Sequence, residues 1–328
     1  MTRQMKAAVY RQYGPPGVVA IQDWPRPVCG PNDVLVRVRA SSVTSADRRI
    51  RSLSMPYGFG AAGRLAFGIS VPRQPILGSE LTGEVVEAGA AVRKFTVGDA
   101  VVAFTGAKLG AHAEYCRVCA DAVIVHKPPT LSHETAAALA FGGTTALDFF
   151  RRGGLRAGDR VLINGASGTV GSAMVQLAAQ AGAEVTAVCS GANAEVVRQL
   201  GAARVVDYTR VDFAAGGKQY DIIADTVGNA PYPRVRAVLA AQGRLLQVLA
   251  TLPQMLRAPW VNISSRHRVV AGPTAERVDD LQTLVDMAVD GRFTPLIDSR
   301  FPFEEIVAAH ARVETGRKRG SVLIAHAS

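Results

Sequence analysis

Between residues 5 and about 125, apolar and polar positions alternate in short runs: MKAAVY, DVLVRVRA, LTGEVVEAG, GDAVVAF, HAEYCRV and DAVIV, each closed by turn-forming residues. Alternation with a period of two puts successive side chains on opposite faces of a strand, so this stretch predicts an antiparallel, β-rich region. After VHKPPTLSHETAAALAFGGTTALDFF the pattern changes. Apolar runs at 160–164, 184–189, 203–207, 221–226, 243–249 and 267–271 are separated for the most part by stretches with helical spacing. Strands joined through helices predict a parallel sheet covered on both faces. From 297 onward the chain reads as strand, helix and strand, a tail able to return to the first region. Segment 51–77, RSLSMPYGFGAAGRLAFGISVPRQPIL, breaks the β pattern with Gly, Pro and aromatics. It is too poor in polar residues for a plain linker and is a candidate lid or substrate-lining loop. No internal repeat is present.

A chain of 328 residues predicts two domains, and 48% hydrophobic with 20% charged residues is the balance of a globular protein with enough apolar surface to offset ordering entropy. No run reaches the roughly 18 apolar residues of a spanning helix, and the N-terminus lacks a leader pattern. These features predict a cytoplasmic protein with no membrane role. The cysteines at 29, 116, 119 and 189 are too few and scattered for a disulfide-stapled fold, which predicts reduced thiols. The net charge of +10 is dispersed, with one tight cluster at Arg317, Lys318 and Arg319. Basic and aromatic residues do not interleave, which argues against nucleic acid as the primary partner.

The stretch VLINGASGTVGSAMVQLA carries Gly165, Gly168 and Gly171 where a strand turns into a helix. A tight strand-to-helix turn, close approach of backbone to a pyrophosphate, and close helix–strand packing each call for a residue without Cβ. The helix start then offers N–H groups and a positive dipole end to phosphates. Gly165, Ser167, Gly168, Thr169, Val170 and Gly171 are therefore candidate dinucleotide contacts. A P-loop would need Lys before Ser172, and a nucleophile elbow would need Gly at Thr169, so triphosphate and acyl chemistry are not supported. In the next strand, AEVTAVCSGAN, Ser190 stands where an acid would grip the ribose 2′-OH of NAD. An absent carboxylate and an available hydroxyl favour NADPH over NADH. Tyr208, with Arg317 or Lys318, can complete that pocket. The six histidines show no ligand spacing, and Cys116 and Cys119, three apart in a strand, face opposite sides; no metal site is expected.

In the order MKAAVY, ASSVTSADRRIR, PILGSELTGEVVEAGAAVRKFTVGDAVVAF, AALAFGGTTALDFF, VLINGASGTVGSAMVQLA, LGAARVVDYT, YDIIADTVG and RGSVLIAH, nearly the whole chain resembles the medium-chain dehydrogenase/reductase superfamily. Within it, the chain resembles the zinc-independent quinone oxidoreductase-like (zeta-crystallin-like) branch. The resemblance implies an α/β protein: a Rossmann doubly wound parallel sheet over 129–272, beside a GroES-like, mainly antiparallel β domain built from 1–128 and 273–328. It also implies NADPH in the cleft and a homodimer. Zinc-bearing relatives would carry Cys at Ser45 and His at Ser79, and a four-cysteine lobe that is missing here. In the family's SSVNPxD stretch, Asn is replaced by Thr44 and Pro by Ser45, so the Thr44 hydroxyl is a candidate substitute near the nicotinamide.

Gly142, Thr144 and Thr145, on the segment crossing into the second domain, are candidate contacts around the nicotinamide and diphosphate. Val248, Leu249 and Ala250 fall at the carboxyl edge of the fifth strand, where open sheets bind ligands. Tyr57, with Phe59 and Phe67, can line an apolar substrate pocket, and Tyr57 is the candidate proton donor. Oxidising an alcohol without a Lewis acid is demanding, whereas conjugate reduction spreads charge onto a distant oxygen. The expected activity is NADPH-dependent hydride transfer to a quinone or α,β-unsaturated carbonyl. A zinc-free alcohol or enoyl-thioester reductase, and a non-catalytic NADPH-binding sensor or RNA-associated protein, are the alternatives.

Overall fold

A computed structural model of the chain describes residues 3–326. Strands β1 (Gln4–Tyr10), β2 (Val19–Pro25) and β3 (Asp33–Val43) precede helices α1 (Ser45–Ser52) and α2 (Gly60–Phe67). Strands β4 (Glu80–Ala88), β5 (Ala100–Phe104), β6 (Tyr115–Cys119) and β7 (Val123–His126) lead to α3 (His133–Ala137) and α4 (Ala140–Gly153). There follow β8 (Arg160–Asn164), α5 (Thr169–Gln180), β9 (Glu184–Cys189), α6 (Ala194–Gln199), β10 (Arg204–Asp207) and β11 (Tyr220–Asp225). Helix α7 (Tyr232–Val235), β12 (Leu239–Gln247), α8 (Leu252–Ser264) and β13 (Arg268–Ala271) continue the alternation. The chain closes with α9 (Val278–Val289), β14 (Ile297–Pro302), α10 (Ile306–Glu314) and β15 (Ser321–Ala325). Among the described residues no helix is long and apolar enough to cross a membrane.

Two compact units result. The first comprises the chain up to Met55, Gly60–Phe141 and the chain from Glu276; the second comprises Pro56–Phe59 and Gly142–Ala275. The division after Phe141 lies beyond the 128/129 boundary expected from sequence, because α3 packs on β3 and β4 of the first unit.

The first unit is built on a seven-stranded sheet in the order β14-β15-β3-β4-β5-β7, with β6 also paired to β3, beside the β1–β2 pair. The period-two pattern of β3 explains its central place. Val34, Val36 and Val38 turn to one face and are buried with Leu81, Val85, Val101 and Ile124. Burying each such aliphatic contributes about 1.5–3 kcal/mol. The C-terminal tail does return: β15 pairs antiparallel with β3, Val322 opposite Val43. A second core joins Tyr10, Ile50, Leu77, Phe303, Ile306 and Ile324. Strand β2, VAIQDWP, was not expected, because its exposure follows no strict alternation. Helix α2 lies inside the candidate lid segment.

The second unit holds a six-stranded parallel sheet, β10-β9-β8-β11-β12-β13. Val161, Leu162, Ile163, Val185, Ile222, Ile223, Leu245 and Leu246 are fully buried, as continuous apolar runs in a doubly covered sheet require. Arg160 grips Asp221 through Nε and Nη2 at 2.9 and 3.0 Å, tying β8 to β11 at their entry ends. Strand order reverses at β8, whose neighbours are β9 and β11. A switch point of this kind leaves a crevice at the carboxyl ends of the strands.

Candidate active site

At that switch point the three glycines have three different reasons. Gly165, just past β8, has φ of 83°, and a Cβ there would lie 2.5 Å from Thr226 Oγ1 and 2.7 Å from Val227 Cγ2. Gly171, in the first turn of α5, would drive a Cβ into the Gly165 carbonyl, 2.8 Å from its carbon and 2.9 Å from Ala166 Cα. Gly168 caps α5 with ordinary dihedrals, and its Cβ would touch only the Gly165 oxygen, at 3.4 Å. Nothing inside the protein demands glycine at 168. A bare main chain there, at a helix start with no side-chain cap, fits the close approach of a diphosphate. Thr169 and Val170 open this helix, and Gly142 lets α4 abut it: a Cβ at 142 would stand 2.7 Å from the Thr169 carbonyl oxygen. Thr144 and Thr145 follow, both buried.

The candidate adenosine end comes from the register of β9 on β10. Asp207 pairs with Cys189, so Ser190 and Tyr208, the next residue of each, emerge together. The Tyr208 amide donates to Cys189 O at 3.2 Å while its ring is 60% exposed. Two residues of this corner escaped the sequence reading. Asn193 Nδ2 donates to Ser167 Oγ at 3.0 Å, tying the loop after β9 to the glycine turn. Asp207 supplies from the neighbouring strand the carboxylate that β9 lacks. The Thr209 hydroxyl at 2.7 Å, the Thr209 amide at 3.0 Å and the Gly191 amide hold it below the usual carboxylate range, and Arg210 stands 3.8 Å away. Only the parallel pairing brings it there; along the chain it lies 17 residues after Ser190.

Past β12 the Val248 amide donates to Asp225 O at 3.0 Å, and Leu249 packs on Gly228; Ala250 is buried. Asp225, also missed, organises this rim. Its buried carboxylate accepts the amides of Val227, Gly228 and Ala230 at 2.8–3.1 Å and Asn164 Nδ2 at 2.9 Å, closing the loop beside β8. Tyr57 is held through its main chain, with its carbonyl accepting the Leu252 amide at 2.9 Å and its side chain 78% exposed.

In the first unit Thr44 caps α1. Its hydroxyl donates to Asp47 Oδ2 at 2.6 Å and accepts the Asp47 amide at 3.2 Å, and Asp47 Oδ1 also takes the Gly78 amide at 2.8 Å. Within the protein the Thr44 proton is thus directed to Asp47. Glu80 went unnoticed in sequence. Fully buried, it accepts the Ser42 hydroxyl and, at 2.6 Å, the Phe141 amide; burial pushes its carboxyl up to about 7 against the pull of those bonds. Lys318 donates to Gly320 O at 2.6 Å, near Asp298 and Glu80, and burial lowers its ammonium to about 8. Arg317 is exposed, its amide donating to Thr315 Oγ1 at 3.2 Å. Both belong to the first unit, whereas Ser190 and Tyr208, with which the sequence grouped them, belong to the second.

Ser45 opens α1 and Ser79 is buried with its hydroxyl unpartnered within the protein. Among the described residues no three His, Cys, Asp or Glu side chains come together as a metal-binding group. Serine hydroxyls are poor zinc ligands beside thiolate or imidazole, so these residues do not fit a zinc ion.

Residues 30–130 match the alcohol dehydrogenase GroES-like domain family, and 200–324 match the zinc-binding dehydrogenase family. The human NAD(P)H oxidoreductase RTN4IP1, mitochondrial, is 32% identical over 90% of this chain and 82% of its own. A quinone oxidoreductase of Pseudomonas aeruginosa is 30% identical over 97% of this chain and 99% of its own. The structure of the quinone oxidoreductase from Coxiella burnetii superposes with a TM-score of 0.87 at 29% identity, covering 98% of this chain and 99% of that one. With a nicotinamide-coenzyme fold on one unit, a GroES-like sheet on the other and relatives matched nearly end to end, the chain belongs to the medium-chain dehydrogenase/reductase superfamily, in its quinone oxidoreductase-like branch, and is an oxidoreductase.

Proposed function

We propose that the protein is an NADPH-dependent, metal-free reductase that delivers hydride to a quinone or an α,β-unsaturated carbonyl compound. Gly168 carries the coenzyme half of this reading: no contact within the protein requires its missing Cβ, while a diphosphate seated on the start of α5 does. When bound, the nicotinamide supplies the hydride. The chain's own residues hold and orient it. The glycine turn and the first amides of α5 take the diphosphate, and Ser190 offers a hydroxyl to a ribose 2′-phosphate. Asp207 stays charged at this corner, and Arg210, 3.8 Å away, offers a cation that offsets it in part and can turn to the phosphate.

The substrate half rests on the relatives named as quinone oxidoreductases and on the serines at 45 and 79. Without side chains suited to hold a Lewis acid, an acceptor that delocalises charge asks least of the protein. Thr44, its proton given to Asp47, shapes the entry to α1, and the proton that completes reduction comes from solvent. Coenzyme oxidation followed optically across quinones, enones and aldehydes, with NADPH and NADH side by side, tests both halves. Turnover confined to alcohols or aldehydes, or dependent on added zinc, would overturn the proposal.

A second copy of the chain is the partner we propose. Leu256, Trp260 and Ile263 share one exposed face of α8, which packs beside β13, one of the two edge strands of the six-stranded sheet. Sedimentation of the wild type as a dimer and of Trp260→Ser as a monomer is the expected result. All four cysteines are free thiols, which is the ground for proposing the cytoplasm as its compartment.

A further inference from the structure

The first unit buries more unsatisfied nitrogen than its fold explains. Arg51, on α1, has no exposed surface; its Nη2 pairs with Glu314, while Nε and Nη1 find no partner in the protein. His310, on α10, is equally buried, and neither ring nitrogen has a protein partner. His112 presents its ring edge-to-face to His310, with centroids 5.5 Å apart. Its Nε2 stands 2.9 Å from the Ser42 carbonyl, so Nε2 carries the proton, and the unpartnered Nδ1 is a lone-pair acceptor. His326 continues the series outward: its Nε2 lies 3.3 Å from Ser41 Oγ and its Nδ1 is unpartnered. His326 also lines a surface pocket of about 370 Å³ with Arg37, Glu114, Tyr115 and Phe303.

Unpaired buried polar atoms are rare in native proteins, and each costs the desolvation of its group. Here His112 and His310 face each other, the Arg51 charge acts on His310, and the groups do not bond one another. Arg51 Nε, Arg51 Nη1 and one nitrogen of a neutral His310 are donors, against lone pairs on His112 and the other nitrogen of His310. Donors exceed acceptors, so the missing partner must accept from several N–H groups and also donate to imidazole. A bare anion cannot donate, and Glu314 and Asp47 already lie close to the Arg51 charge. Water does both, and buried water ordinarily makes about three such bonds.

We propose that Arg51, His112 and His310 enclose ordered water that fastens α1 to α10. This site lies outside the coenzyme contacts and is independent of the proposed substrate. Crystals diffracting well enough to resolve solvent should show water within hydrogen-bond distance of Arg51 Nε or Nη1, His112 Nδ1 and His310. A His310 ring turned to bond His112 directly, an anomalous scatterer such as chloride, or nitrogens with no neighbour would each overturn it. In solution, oxygen-17 relaxation dispersion should count fewer long-lived waters in His310→Leu than in the wild type. His310→Gln, which restores a donor and an acceptor, should recover them and serves where the leucine variant does not fold. An unchanged count in folded His310→Leu would also overturn the proposal.

Discussion

Gly168→Ala separates coenzyme binding from folding, because the two neighbouring glycines of the turn differ in what a methyl group would strike. At 168 the new Cβ meets only the Gly165 oxygen, at 3.4 Å, the onset of ordinary contact. Alanine loses a little as a helix cap relative to glycine but removes unfolded-chain entropy worth about 0.4–1 kcal/mol, and the two effects nearly cancel. Stability should therefore change by less than about 0.5 kcal/mol, the range of a substitution with no steric penalty. Gly171→Ala is the contrast. Its Cβ would overlap the Gly165 carbonyl and stand 2.8 and 2.9 Å from two further backbone atoms, so α5 and the turn must part by roughly half an ångström. Overpacking against main chain costs about 1–3 kcal/mol or more.

Urea unfolding gives the stability of each variant, and quenching of protein fluorescence by NADPH gives its affinity. The expected pattern is an unchanged midpoint for Gly168→Ala with coenzyme affinity reduced at least about tenfold, equivalent to about 1.4 kcal/mol. Gly171→Ala should show a lower midpoint as well as weak binding. If Gly168→Ala binds NADPH as tightly as the wild type, the diphosphate does not approach the chain at 168 and the account of the glycine turn is wrong.

Ser190→Asp places a second carboxylate beside Asp207 at the end of β9. It should move the preference from NADPH toward NADH, and a ratio of kcat/KM values unchanged by the substitution would remove the 2′-phosphate assignment. His310 and His326 are driven below the ordinary histidine value of 6.5 chiefly by burial, His326 to about 3. The folded protein thus excludes protons that the unfolded chain takes up, so its stability is complete above pH 6.5 and falls as acid is added. The slope is about 1.4 kcal/mol per pH unit for each excluded proton. His310→Leu should flatten the acid limb of a urea-midpoint profile, and an identical limb would count against a neutral His310. Glu80 has the opposite sign: its carboxyl is raised by burial from 4.5 to about 7, so its contribution is present below pH 4.5 and lost as pH rises through 7. That loss is about 3 kcal/mol. Glu80→Gln, which can still accept from Phe141 and donate to Ser42, should gain relative to the wild type as pH rises from 5 to 8; a difference independent of pH would show that Glu80 is ionised throughout.

Much of this protein was legible from local pattern. The strands of the second unit fall within a few residues of the apolar runs, because the central strands are covered on both faces and so are mostly apolar. Gly165 and Gly171 were readable for a similar reason: only glycine tolerates a left-handed turn or close main-chain contact, so the constraint is written in residue type. Strand β2 left no such trace, since an exposed strand held by one neighbour needs no alternation. Thr44 carried a second signal. Thr-x-x-Asp before a helical stretch is a capping pattern, and the Thr44 hydroxyl starts α1.

The sequence alone determined two kinds of sheet, the place of the glycine turn and the absence of an acid after β9, all properties of residues near one another along the chain. Tertiary structure decided the rest. Asp207 reaches the corner beside Ser190 through parallel pairing, Glu80 acquires its raised carboxyl from complete burial, and Arg51, His112 and His310 meet only because α1, the loop before β6 and α10 pack together. Charge, solvation and hydrogen bonding depend on neighbours in space, and those neighbours exist only once the chain is folded.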